Sequence, residues 1–143
     1  MYKNIGFKGF FLGKNLNDIW VLTESGITVY SRVLDPRINP QLFGALMSAL
    51  NLFAEQLSNG GITNFELSKL RFTIIKKKNF IFVANSSNKS KEKKVLNELS
   101  RISDKFFELY PEEVLEKWDN DINIFASFEN EIKDSLEETI KKF

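Results

Sequence analysis

Two short apolar runs, Ile19 to Thr23 and Ile27 to Arg32, open the patterned part of the chain. Both are rich in β-branched and aromatic residues, and Glu24-Ser25-Gly26 separates them. Runs of this length joined by a polar link with a glycine for positive φ predict a β-hairpin. Strict alternation puts Ile27, Val29 and Ser31 on one side of the second strand and Thr28, Tyr30 and Arg32 on the other. The period then changes. Asn39 stands where it can cap a helix that has Pro40 at its first position. From Pro40 to Ser58 the residues Phe43, Leu46, Met47, Leu50, Phe53, Ala54 and Leu57 recur at spacings of three and four. Asn59-Gly60-Gly61 closes that helix.

Three strands are expected next. Ile62 to Ser68 and Leu70 to Ile75 alternate, while Phe80 to Ala84 is a continuous apolar run, the mark of a strand covered on both faces. Lys76-Lys77-Lys78-Asn79 reads as the tip joining the last two. Ser90 is the expected cap of a helix running to about Tyr110, with Val95, Leu99, Ile102 and Phe106 on its apolar face. A short segment follows Pro111, and Ile122 to Phe143 predicts a last helix with Ile122, Phe125, Phe128, Ile132, Leu136 and Ile140 on one side. Helices need apolar sheet to lie against, so the economical arrangement is a sheet with helix on both faces. The expected core includes Phe72, Ile74, Phe80, Phe82, Leu46, Leu50 and Phe53.

Composition narrows the chemistry. The chain has no cysteine and no histidine. Thiolate metal sites, disulfides and cysteine nucleophiles are thereby excluded, along with the commonest metal ligand and general base. Catalysis would have to rest on carboxylate, lysine, tyrosine or hydroxyl groups. The net charge of +1 gives no general pull toward nucleic acid. No stretch reaches the ~20 apolar residues of a membrane span, and the N-terminal segment lacks the features of a signal peptide. A cytoplasmic protein is expected, and no cofactor.

Individual motifs are mostly mundane. Asp119 and Asp121 lack the further ligands and the glycine of a calcium loop, which leaves a helix cap. Gly60-Gly61 lacks the lysine and hydroxyl of a phosphate loop. Lys76, Lys77 and Lys78 could contact anionic headgroups or an acidic partner, or they could be a solvated hairpin tip that discourages edge pairing. Lys89, Lys91, Lys93 and Lys94 sit at the unfavourable end of a helix for cations. Phe7, Phe10, Phe11 and Leu12 fall in an N-terminal extension, residues 1–17. They could add a strand, cover the sheet or dock elsewhere.

Three segments together carry a family resemblance: IWVLTESGITVYSR followed by the proline-capped helix, FTIIKKKNFIFVANSS, and LNELSRISDKFFELYPEEVLEKWDNDINIFASFENEIKDSL. In this order they resemble the longin and roadblock superfamily, small domains of vesicle SNAREs, adaptor small chains and small-GTPase regulators. The resemblance spans roughly residues 18–136, and the lack of a helix before Ile19 favours longin over roadblock. It implies an α+β, longin-like (profilin-like) fold of order β-β-α-β-β-β-α-α over residues 18–143. The mainly antiparallel five-stranded sheet would have one helix on one face and two on the other. It also implies a non-enzymatic scaffold, adaptor or regulator, working as a homodimer or heterodimer with a small GTPase or another longin or roadblock-type domain as partner. Peripheral membrane contact is compatible with it. The alternatives are a structural subunit of an unrelated complex or a carboxylate- or lysine-based enzyme.

The first helix supplies a candidate interface. Between Pro40 and Ser58 the only ionisable side chain is Glu55. With Phe43, Leu46, Leu50, Phe53 and Leu57 committed to the sheet, the small or apolar flank of Gly44, Ala45, Ser48, Ala49 and Leu52 is expected to meet a partner, because interface centres are depleted of charge.

Overall fold

The computed structural model describes residues 16–33 and 35–132. The phenylalanines of the N-terminal segment and the expected helical positions Leu136 and Ile140 lie outside these. Five strands form one sheet: β1 (Asp18–Thr23), β2 (Thr28–Arg32), β3 (Asn64–Leu67), β4 (Leu70–Lys77) and β5 (Phe80–Ser87). Their spatial order is β2-β1-β5-β4-β3, and every neighbouring pair is antiparallel. Helix α1 (Pro40–Leu57) covers one face. On the other lie α2 (Glu92–Leu109), the short α3 (Glu112–Glu116), a 3-10 turn at Ile122–Phe125 and a helical turn over 128–132.

β1 and β5 are central, and their side chains build a core on each face. Ile19, Val21, Phe80, Phe82 and Ala84 meet Val95, Leu99, Ile102 and Phe106 of α2, with Phe125 and Phe128 behind them. Trp20, Leu22, Ile81 and Val83 point the other way and join Phe72, Ile74 and Met47 under α1. This is why β5 reads as an unbroken apolar run. Leu16 is buried in the α2-side core and the Asn17 amide bonds the Asn85 carbonyl at 2.8 Å, so packing begins before the expected domain boundary.

The hairpin turn conforms to expectation, with Gly26 at φ 98°. The strand beyond it does not alternate strictly. Val21 pairs with Tyr30 and Leu22 with Thr28, so Val29 is an extra residue, a β-bulge. Val29 and Tyr30 therefore both reach the α2-side core. The Tyr30 ring meets Phe128 edge-on at 5.1 Å.

Helix starts and turns also refine the sequence reading. Asn39 caps α1, its Oδ1 accepting from the amides of Gln41 and Leu42 at 2.9 and 3.2 Å. Ser90 does not cap α2. The helix starts after Lys91 without a side-chain cap, and the Ser90 carbonyl instead accepts from Arg71 Nη1 at 3.0 Å. The β4–β5 tip is only Lys78-Asn79, with φ of 50° and 69°, because Lys76 and Lys77 stay in the ladder opposite Ile81 and Phe80. The expected last helix begins as the 3-10 turn, which Asp121 caps by accepting from the Asn123 amide.

The largest correction concerns the rotation of α1. Its buried residues are Gly44, Met47, Ser48 and Asn51, with Phe43 and Leu50 partly buried beside them. Leu46 and Phe53, expected in the core, are each 60% exposed, and Leu57 is 74% exposed. Polar and close-packing groups set this rotation. Gln41 bridges to the backbone of Thr28, its Oε1 accepting from the amide and its Nε2 donating to the carbonyl. Ser48 donates to the Glu24 carbonyl. Gly44 lies so close to the hairpin that a Cβ there would meet Thr28 Oγ1 at 2.5 Å and the Gly26 carbonyl at 2.7 Å.

Candidate partner-binding surface

Turning Gly44 and Ser48 inward leaves α1 with a second apolar stripe. Leu42, Ala45, Leu46, Ala49, Leu52, Phe53 and Leu57 are all exposed. From Leu42 to Phe53 they recur at three and four, so they share one side of the helix. An ordinary surface helix presents charge there. Of the expected interface residues, Ala45, Ala49 and Leu52 lie on this outer side. Gly44 and Ser48 do not, because they are spent on the β1–β2 hairpin. Leu42, Leu46, Phe53 and Leu57 were missed because an all-round apolar helix gives periodicity no contrast. The small and polar series Gly44, Ser48, Asn51 was the available signal for the inward face.

Among the described residues the sheet has two edge strands, β2, which packs against α1, and β3 at the far side, which only β4 pairs. Phe65 stacks on Phe72 at 4.7 Å, and Leu67, two residues on along the same face, is 57% exposed. Phe65 and Leu67 of β3 thus face the same layer as α1.

The three lysines do not form one patch. Lys76 Nζ bonds Asn51 Oδ1 at 3.0 Å and the Gly60 carbonyl, near the C-terminal end of α1, where a cation is favoured. Lys77 lies on the other face and pairs with Asp104 at 2.7 Å. Lys78 Nζ sits over the Phe107 ring, 5.0 Å from its centre. Lys76 and Lys77 are thus each engaged with groups of the chain itself.

Titration is perturbed at few places. Burial, reinforced by the neighbouring Glu129 carboxylate, pushes the Tyr30 phenol well above its usual range. The half-buried Asp35 carboxyl is held at about 2 by hydrogen bonds from the Arg37 side chain and amide. Among the described residues no acidic cluster is arranged to hold a metal ion, and no helix is long and apolar enough to cross a membrane. Asp119 and Asp121 are occupied with local backbone amides.

A family model described as the first longin domain of FUZ, MON1 and HPS1 matches residues 17–117. The chain belongs to this longin family. The matched stretch takes in the whole sheet and the first three helices, so the longin domain includes α1, the β3 edge and α3. Among solved structures, Myxococcus xanthus MglB is similar at 18% identity, covering 68% of this chain and 89% of that one, with a TM-score of 0.55. A roadblock/LC7 domain from Streptomyces avermitilis is similar at 15% identity, covering 61% and 78%, with a TM-score of 0.51. Both share the fold of this longin domain. No curated protein matches the sequence.

Proposed function

We propose that this longin domain is a pairing and docking module without catalytic activity. It associates through the outer side of α1 and the β3 edge with a second longin or roadblock-type domain, its own copy included. The pair then serves as scaffold, adaptor or regulator for a small GTPase or a trafficking-type complex. The observation that carries this reading is the outer stripe of α1, apolar over four turns where a solvent-facing helix carries charge. Charge-free apolar centres are what protein interfaces present. The β3 edge, unpaired on its outer side among the described residues, adds a second means of association, since an unpaired strand can extend a sheet across two chains. The resemblance to the superfamily supplies the class of partner. The lack of cysteine and histidine supports a binding role over a catalytic one.

The test replaces Ala45 and Ala49 with glutamate. Both are exposed, so neither change disturbs the monomer core. The wild type is expected to be dimeric in light scattering at micromolar concentration. The double variant is expected to be monomeric with an unchanged far-UV spectrum. A wild type that is monomeric throughout, with a variant that still binds the same partners, overturns the proposal.

A further inference from the structure

At the turn end of the sheet, on the layer opposite α1, the two hairpin tips and α3 enclose a groove of about 580 Å³. That is within the size range of sites for small ligands or a few peptide side chains. Its floor is apolar. Phe80 is buried there, and Leu115 and Trp118 are half-buried. The Trp118 indole N–H is satisfied by the Asp121 carbonyl at 2.9 Å, and its ring rests edge-on against Phe125. The ring is thus fixed while still reaching the groove.

The rim is acidic. Glu24 comes from the β1–β2 turn, and Glu112 and Glu116 come from α3, far away in sequence. All three are exposed, and none forms an ion pair among the described residues. The one lysine lining the groove, Lys78, has its ammonium over Phe107 instead. Unpaired carboxylates from two separate elements therefore surround an apolar floor held in place by backbone contacts. The Glu24 amide, for instance, bonds the Asn79 carbonyl across the two tips at 3.3 Å.

We propose that this groove is a second docking site, for a short peptide segment of a partner protein that carries arginine or lysine on either side of a large apolar side chain. The apolar side chain lies on Trp118, Leu115 and Phe80, and the cations meet Glu24, Glu112 and Glu116. Charge complementarity selects the occupant, because an acidic segment would meet three like charges on the rim. The site does not depend on the pairing role of α1, since it uses the other layer.

The chain has two tryptophans, and Trp20 is 1% exposed beneath α1, so Trp118 emission reports on the groove. The probe is the capped synthetic peptide Gly-Ser-Arg-Leu-Lys-Phe-Gly, titrated into the full chain. A saturable change in emission is expected. Binding should weaken about tenfold when the cations of the peptide are replaced by glutamine, and by a similar factor in the Glu112→Gln/Glu116→Gln variant. The signal should vanish in Trp118→Phe, which keeps an aromatic floor. Three results would overturn the proposal: no saturation up to about 1 mM peptide, equal binding by the glutamine variant, or a signal that persists in Trp118→Phe. Arginine methyl ester binding as tightly as the peptide would overturn the peptide reading too.

Discussion

Gly44→Ala tests the packing that sets the rotation of α1. Inside a helix, alanine is ordinarily better than glycine by about 1 kcal/mol, so on propensity alone the variant should be more stable. The local geometry opposes this. The new methyl carbon would stand 2.5 Å from Thr28 Oγ1 and 2.7 Å from the Gly26 carbonyl oxygen. Neither atom can yield freely. Thr28 Oγ1 donates to the Pro40 carbonyl at 2.6 Å, and the Gly26 carbonyl is backbone in a turn at positive φ. Relief requires α1 to move away from the hairpin. Overpacking of this kind costs about 1–3 kcal/mol. Loss of the Thr28 hydrogen bond adds about 1 kcal/mol. After the propensity gain is subtracted, Gly44→Ala should destabilise by about 1–3 kcal/mol, a fall in Tm of roughly 3–10 °C for a domain of this size. Urea denaturation of the two proteins measures it. Ala45→Gly, one residue away and exposed, is the control, and it should lose about 1 kcal/mol with no steric contribution. Thr28→Ala combined with Gly44→Ala should recover part of the loss, and a double-mutant cycle reads the coupling. If Gly44→Ala is as stable as the wild type or more so, α1 does not approach the hairpin this closely and the inward face is misassigned.

Two further outcomes are expected. Phe82 is fully buried between Phe106 and Phe107, so Phe82→Ala should cost about 3–5 kcal/mol, and an unchanged urea midpoint would refute the register of β5. Tyr30 has its phenol pushed above the unfolded value of 10.0, so the folded state holds the proton more tightly than the unfolded chain. That stabilisation is complete below pH 10 and is lost as the pH rises beyond it. Between about pH 9 and about pH 11 the wild type should therefore lose more stability than Tyr30→Phe, and parallel losses would refute the assignment.

Much of the fold was legible because its elements differ in period. The alternation of β4, the continuous run of β5 and the three-and-four spacing of α2 each reflect how many of their faces are covered. The capping of α1 was legible for a local reason, an asparagine immediately before a proline. The rotation of α1 was not, because its apolar residues surround it. Leu46 and Met47 are equally hydrophobic by eye, yet one is 60% exposed and the other 1%. What decides between them is non-local: Gln41 and Ser48 reaching hairpin backbone groups, and Gly44 allowing contact. The bulge at Val29 escaped for a similar reason, since it is a property of the pairing between β1 and β2 and leaves no mark on β2 alone. The candidate interface followed the rotation. Ala45, Ala49 and Leu52 stayed outside, while Gly44 and Ser48 turned in and larger side chains took their place. The groove was invisible in sequence because Glu24 and Trp118 meet only through the fold.

The strand order carries a consequence for how the chain acquires its structure. β1 is made first, yet its central neighbour β5 comes more than fifty residues later: Thr23 faces Phe80, and Asp18 faces Asn85. The β1–β2 hairpin can form early from local contacts, but it then presents Val21, Trp20 and Ile19 on a strand with one side unpaired. Only when Phe80–Ser87 has left the ribosome can that side close and both cores assemble around it. Synthesis therefore passes through an interval in which the apolar central strand β1 is an open edge, a state prone to self-association. A chain truncated anywhere before β5 would remain in it.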